Sequence, residues 1–165
     1  MSSEMMSNIK RSGLEAELMK NGKVIYTSVG DSMNPYIKQG RDLLVIERPK
    51  EWEMLSDNSL TEKLKKYDVP LYKRDGGHAY VLHRVLKVRD EDYVICGDNR
   101  RHREYGINDR HVVGVLTAVL RNGKEIPVTD IRYRCYVHLW CDLYYIRAGI
   151  LLVKHVMKRT FDRKM

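Results

Sequence analysis

The sequence predicts a mainly β domain of antiparallel strands, flanked by an N-terminal helix and a basic amphipathic C-terminal helix. Three observations carry this. Short runs rich in Val, Ile, Leu and Tyr recur between residues 23 and 128. Tight-turn signals separate them, the clearest being Asp75-Gly76-Gly77 and Arg121-Asn122-Gly123-Lys124. From Ile131 the periodicity changes, and Tyr136, Leu139, Trp140, Leu143, Ile146, Ile150 and Val153 share a helical stripe. The chain thus divides into a β unit with its short helix, residues 1–130, and a helical unit, residues 131–165.

In order, Asn8 to Lys20 reads as a helix, with Ile9, Leu14, Leu18 and Met19 loosely periodic and Asn21-Gly22 as its stop. Lys23 to Val29 is a strand that runs into a constrained turn, Gly30 to Gly40. Gly30 tolerates conformations that other residues resist, and Pro35 holds its own φ and pushes Asn34 towards extended backbone. Asp42 to Glu47 is a continuous apolar strand with both faces covered. Pro49 to Lys66 is polar and irregular, with a helical turn or two at Leu60 to Lys66. Tyr67 to Tyr72 is extended, and Pro70 demotes it to an edge or irregular strand. Ala79 to Val88 reads as one long strand, Arg89 to Asp92 as a turn, and Tyr93 to Cys96 as the returning partner. Gly97-Asp98-Asn99 closes that hairpin, and Arg100 to Asp109 reads as a charged loop. Val112 to Leu120 and Glu125 to Val128 form the last hairpin.

The chain is 165 residues long, 32% charged and 43% hydrophobic, which fits a folded domain and not a disordered tract. Three cysteines at irregular places argue against a disulfide framework and for a reducing compartment. Met1 to Lys20 has no continuous apolar core of the signal-peptide kind. The expected location is cytoplasmic, with a peripheral seat at the inner face of the membrane as its variant. The +8 charge is uneven: residues 131–165 hold eight Lys/Arg against two Asp/Glu, a net of +6, leaving +2 for residues 1–130. Such a tail suits an anionic surface. The C-terminal stripe is too short and too charged nearby to span a bilayer, so it reads as a surface-lying helix. Lys154, Lys158, Arg159, Arg163 and Lys164 would meet headgroups, and Trp140, Tyr136, Tyr144 and Tyr145 suit the interface. The alternative is a helix packed on its own β domain with a solvated basic end. Nucleic acid is not expected as a partner.

The chemistry starts at Ser32, where a strand ends in the constrained turn. A serine hydroxyl needs a base to take its proton and a third group to orient that base. His83 lies in His-Arg-Val on a strand, and Gly97-Asp98-Asn99 and Asp109 follow. An unperturbed histidine titrates near neutrality and can both accept and return a proton. Each residue also has a plain structural role open to it, as turn serine, strand histidine or hairpin aspartate.

The ordered set Ser32-Met33-x-Pro35, His83-Arg84-Val85 and Gly97-Asp98-Asn99 resembles the signal-peptidase and LexA-like serine peptidases. It is most similar to the histidine-using branch, since the bacterial branch places a lysine where His83 stands. Small bacterial stand-alone members look similar also at Val113-Gly114-Val115-Leu116-Thr117 and from Arg132 to Trp140. The resemblance covers about residues 20–145. It implies a LexA/signal-peptidase-like β domain and a serine endopeptidase cutting an extended peptide of a precursor protein, with small side chains beside the scissile bond. Ser32 would be the nucleophile, His83 the base, and Asp98 or Asp109 the orienting acid. Met33, Pro35, Arg84 and Asn99, from the same motifs, are the candidate substrate-binding residues. The chain departs from the pattern at Gly30, where a hydroxyl often assists the oxyanion, and at Asp31, whose charge would oppose an oxyanion if it faced inward.

Two other classes compete. A peptide-binding module on the same scaffold would grip without cutting. A self-cleaving LexA-like regulator needs a DNA-binding domain and a linker, for which the 31 residues before Ser32 are too few. Cys135, His138 and Cys141 lie three apart, but a structural zinc site wants four ligands, so no metal and no cofactor is assigned.

Overall fold

The computed structural model describes residues 13–27, 29–48, 64–77, 79–143, 145–147, 149–153 and 157. It is mainly β, with nine strands in two antiparallel sheets and short helices at either end. Helix α1, residues 13–21, sends Leu14 and Leu18 into the main core, and Gly22 at φ +66° ends it. It lies close on the sheet because Gly114 has no side chain: a Cβ there would stand 2.7 Å from Ile46 Cγ2 and 3.0 Å from Leu18 Cδ2. The residues before 13, and residues 60–63 of the helical turns expected over Leu60 to Lys66, lie outside the described residues, while residues 64–66 are not helical.

Strands β1 (Lys23–Thr27), β2 (Asp42–Glu47), β3 (Pro70–Lys73), β4 (Tyr80–Leu82), β8 (Val112–Arg121) and β9 (Lys124–Pro127) make the larger sheet. Its order is β1-β2-β8-β3-β4, with β9 on β8. Strands β5 (Arg84–Val88), β6 (Tyr93–Cys96) and β7 (Glu104–Ile107) make the smaller one, in chain order. Leu44, Ile46, Leu71, Leu82, Leu116 and Val119 fill the main core, while Tyr72, Val85, Tyr93, Ile95 and Ile107 fill a second core belonging to the smaller sheet.

Three expectations are corrected. Ala79 to Val88 is not one strand: β4 and β5 join different sheets, and His83 is the single residue between them. Leu82 stays paired with Leu71, while Arg84 pairs with Cys96. Pro70 does not mark an edge, because β3 lies between β8 and β4, but the strand is irregular, its register with β8 shifting between Leu71 and Tyr72. It is tolerated as the strand's first residue, since β4 begins to pair only at Leu71 and no donor is needed from Pro70 on that side. The charged loop after Gly97 contains β7, whose Glu104 faces Ile95 and whose Ile107 faces Tyr93. Gly106, at φ +77°, breaks the alternation that would have signalled a strand.

The C-terminal unit begins as helix α2 (Ile131–Val137), capped by Asp130. A wider turn follows at His138–Asp142, and helix resumes at residues 145–147 and 149–153. The buried side is Tyr133, Val137, Cys141, Arg147 and Leu151. Most of the expected apolar stripe is instead exposed, with Leu139 at 69% and Ile146 at 59%.

Asp42 clips the entry of β2 to its neighbours. Its carboxylate accepts hydrogen bonds from Arg121 Nε at 2.7 Å, Arg41 Nε at 2.9 Å and the Lys38 N–H at 2.9 Å. Burial alone would raise this carboxyl, but the bonds from Arg41, Arg121 and Lys38 outweigh it and hold it well below the usual range. A depressed carboxyl stabilises the fold above its unfolded value, near pH 4, and that contribution fades as pH falls through the folded value. Asp42→Asn is expected to cost about 1–3 kcal/mol at pH 7 and to flatten the loss of stability on acidification. Urea unfolding at a series of pH values checks both; an unchanged acid limb would contradict the assignment.

Candidate active site

The Ser32 turn is anchored from below. Met33 and Ile37 are buried in the main core, and the Ile37 N–H donates to the Met33 carbonyl at 3.1 Å. Gly30 takes φ +97° and donates its N–H to Gln39 Oε1 at 2.7 Å, which shapes the turn's start. Arg41 Nη2 and Arg121 Nη2 both reach the Tyr36 carbonyl, at 2.6 and 2.7 Å, which fixes its end. Ser32 itself is half-buried.

The turn meets His83 at Gly97. The Asn99 N–H donates to the Ser32 carbonyl at 2.7 Å, tying the hairpin end to the serine. A Cβ on Gly97 would lie 2.7 Å from the Ser32 carbonyl oxygen and 3.0 Å from His83 Cδ2. The Ser32 backbone and the His83 ring therefore both pack against one glycine, with Arg100 Cγ also 3.0 Å from the same point. Any larger residue would wedge them apart.

The other side of the imidazole faces a carboxylate, and that carboxylate is Glu104. His83 Nδ1 is 3.1 Å from Glu104 Oε1. Tyr72 Oη donates to the same oxygen at 2.7 Å and lies 3.3 Å from Nδ1. Since its own proton goes to Glu104, Tyr72 can only accept from Nδ1. Both neighbours thus require a proton on Nδ1 and leave the lone pair on Nε2, the nitrogen bonded to the Cδ2 that faces Gly97. Arg74 Nε holds the second carboxylate oxygen. Burial would raise Glu104, but hydrogen bonds from His83, Arg74 and Tyr72 prevail and keep it well below the usual carboxylate range. Burial, then Glu104, push Tyr72 upward, so it remains a donor. Among the described residues, Ser32 Oγ and His83 Nε2 make no hydrogen bond, to each other or to any other group.

The two expected acids are elsewhere. Asp98 is fully buried and forms a two-pronged pair with Arg84, Nε to Oδ1 at 2.9 Å and Nη2 to Oδ2 at 2.7 Å. It also accepts from Tyr136 Oη at 3.0 Å. Asp109 accepts from Tyr93 Oη. Neither touches His83. Of the expected substrate-binding residues, Met33 and Arg84 are buried, the first by the core and the second by Asp98, Tyr133 and the Tyr67 carbonyl. Pro35 is exposed beside the turn, and Asn99 is half-buried within it. Asp31 faces outward and is held by Arg100 Nη2 at 2.7 Å and Asn99 Nδ2 at 3.1 Å. Its charge is taken up away from Ser32. Cys141 is buried and Cys135 exposed, while His138 is paired with Asp142.

Glu104 carries no motif of its own. The one signal for it was a carboxylate followed by Tyr-Gly-Ile, able to pair with the Tyr93–Cys96 strand. No family model matches this chain, and no curated protein or solved structure matches it.

Glu104→Gln offers an amide where a carboxylate accepted, so the imidazole loses its preference for Nδ1–H. Nitrogen-15 spectra of ring-labelled protein are expected to show the proton on Nδ1 in the parent and a mixed or reversed tautomer in Glu104→Gln. An identical tautomer in both would dismiss Glu104 as the orienting group.

Proposed function

We propose that the chain is a serine endopeptidase that cuts an extended peptide segment through Ser32 and His83, with Glu104 orienting the imidazole. The observation that carries this is the meeting at Gly97, with the serine turn on one side of the glycine and an imidazole on the other. That imidazole's far nitrogen is committed to a carboxylate. The same chemistry is what the resemblance to the histidine-using signal-peptidase branch implies.

In this reading Ser32 Oγ attacks the scissile carbonyl carbon while His83 Nε2 takes its proton. The Ser32 backbone N–H faces the oxyanion that forms. Collapse of the tetrahedral adduct breaks the C–N bond, and Nε2 gives its proton to the leaving amine. Water then attacks the acyl-serine ester, its proton passing through Nε2 back to Ser32 Oγ. Glu104 stays ionised throughout and stabilises the imidazolium, which suits a carboxyl held low by three donors. Strand β4 ends one residue before His83 and lies at the edge of the larger sheet, so an extended peptide added there would run directly past the imidazole.

One observation favours a binding module instead: the serine and the imidazole are not hydrogen-bonded to each other. Catalytic hydrogen bonds often tighten only when substrate is present, so the peptidase reading stands ahead. A fluorophosphonate probe separates the two. Labelling at Ser32 is expected in the parent, none in Ser32→Ala, and a rate lower by about 10²–10⁴-fold in His83→Ala. Labelling that survives Ser32→Ala, or an unchanged rate in His83→Ala, removes the mechanism.

A further inference from the structure

We infer that the C-terminal unit seats the protein on an anionic lipid surface, with an apolar helix face entering the interface and an adjoining basic cleft taking phosphate headgroups. The apolar face comes first. Leu139, Leu143, Ile146, Ile150, Val153 and Met157 are all exposed and are spaced alternately four and three residues apart. Tyr145 and Leu152, at 83% and 47% exposure, add exposed apolar surface on the helix's flank. Cys141, Arg147 and Leu151, on the opposite side, are buried against the β domain. The helix therefore presents apolar side chains outward, an arrangement that a purely self-packed surface helix does not need.

The cleft adjoins the start of this face. It has a volume of about 660 Å³, with Cys141 and Asp142 among the residues lining it. Four cations line it, Lys66, Lys87, Arg89 and Arg103, against the single carboxylate of Asp142. Lys66 is paired with Asp142 at 3.5 Å, and Arg89 is paired with Asp92 through Nε and Nη2 while its guanidinium lies 5.3 Å over the Tyr105 ring. A concavity lined by cations, with Lys87 outside the Lys66–Asp142 and Arg89–Asp92 pairs, beside an exposed apolar helix is the chemistry of a lipid interface. The sequence adds a net +6 over residues 131–165. No described helix is long and apolar enough to cross a membrane, so the face lies on the surface.

A second copy of the chain is a poorer occupant. Two such units would bring like charge together, and the stripe continues for fewer heptads than a stable coiled coil uses. The inference stands apart from the peptidase reading, because it is read by binding alone.

The test is co-sedimentation of the full chain with phosphatidylcholine vesicles and with vesicles that also contain phosphatidylglycerol, at low and at raised salt. Binding is expected only to the anionic vesicles and should weaken with salt. Lys87→Gln should lower the affinity about fivefold, and Ile146→Glu with Val153→Glu should reduce it more than tenfold. Circular dichroism confirms that each variant folds; if the double variant does not, Lys87→Gln alone carries the test. Equal binding to both vesicle types overturns the headgroup site. Absence of vesicle binding overturns the whole inference, whether inorganic phosphate raises the melting temperature, marking a small-anion site, or Ile146→Glu dissolves a dimer, marking a self-interface.

Discussion

The structure depends on one buried ion pair. Arg84 and Asp98 are both fully buried, and their side chains meet through two parallel hydrogen bonds. The next residue back along the chain from each is a site residue: His83 precedes Arg84, and Gly97 precedes Asp98. Holding the pair in register sets the imidazole against the glycine, and Asn99, one residue on, ties the glycine's hairpin to Ser32. Removing either partner would strand a charge in the interior, so the geometry is strongly enforced. Burial would lower the Arg84 pKa, but the Asp98 carboxylate and the nearby Tyr133 hydroxyl prevail and raise it, so the guanidinium stays charged at all ordinary pH.

The same pair recruits the C-terminal unit. Tyr133 Oη accepts from Arg84 Nη1 at 2.8 Å, Tyr136 Oη donates to Asp98, and Trp140 Nε1 donates to the Asp98 carbonyl at 2.9 Å. Three residues of one helical unit thus satisfy polar groups that the ion pair and its turn would otherwise leave bare in the interior. The boundary at residue 131 is a change of secondary structure, while the polar network runs straight across it. Residues 131–142 are part of the wall that supports the site, and the exposed apolar face begins at Leu139, beside the last of those supporting residues.

Most strands were legible because their signals are local. Tyr93–Cys96 is bounded by turn residues on both sides, and Val112–Arg121 is a long β-branched run before an Asn-Gly turn. The failures share a cause: a long-range partner overrode a local pattern. Residues 79–88 read continuously as strand, and only the competition between Leu71 and Cys96 for the two halves breaks it at His83. Motif order marks Ser32 and His83. It does not mark Glu104, whose place beside His83 comes from strand pairing opposite Ile95 and whose one local signal is the Tyr-Gly-Ile that follows it. Asp98 misled for the converse reason, since a motif aspartate near a histidine in sequence invites a catalytic role that a buried arginine had already claimed.

The choice of Glu104 over Asp98 also settles a conflict of electrostatics. One carboxylate cannot serve fully both as the counter-ion of a buried, permanent cation and as the hydrogen-bond partner of an imidazole. Asp98 is saturated by Arg84, Tyr136 and the surrounding burial, so it offers little further acceptor capacity. Glu104 is only partly buried, with its side chain 24% exposed, and it divides its oxygens: Arg74 takes one, while Tyr72 and His83 share the other. Arg74 keeps the carboxylate ionised, Tyr72 keeps it aimed, and the remaining lone pairs fall to the imidazole. Two acids thus hold separate places, one bound to the buried Arg84 and one facing the histidine, and the division follows from the cation each is paired with.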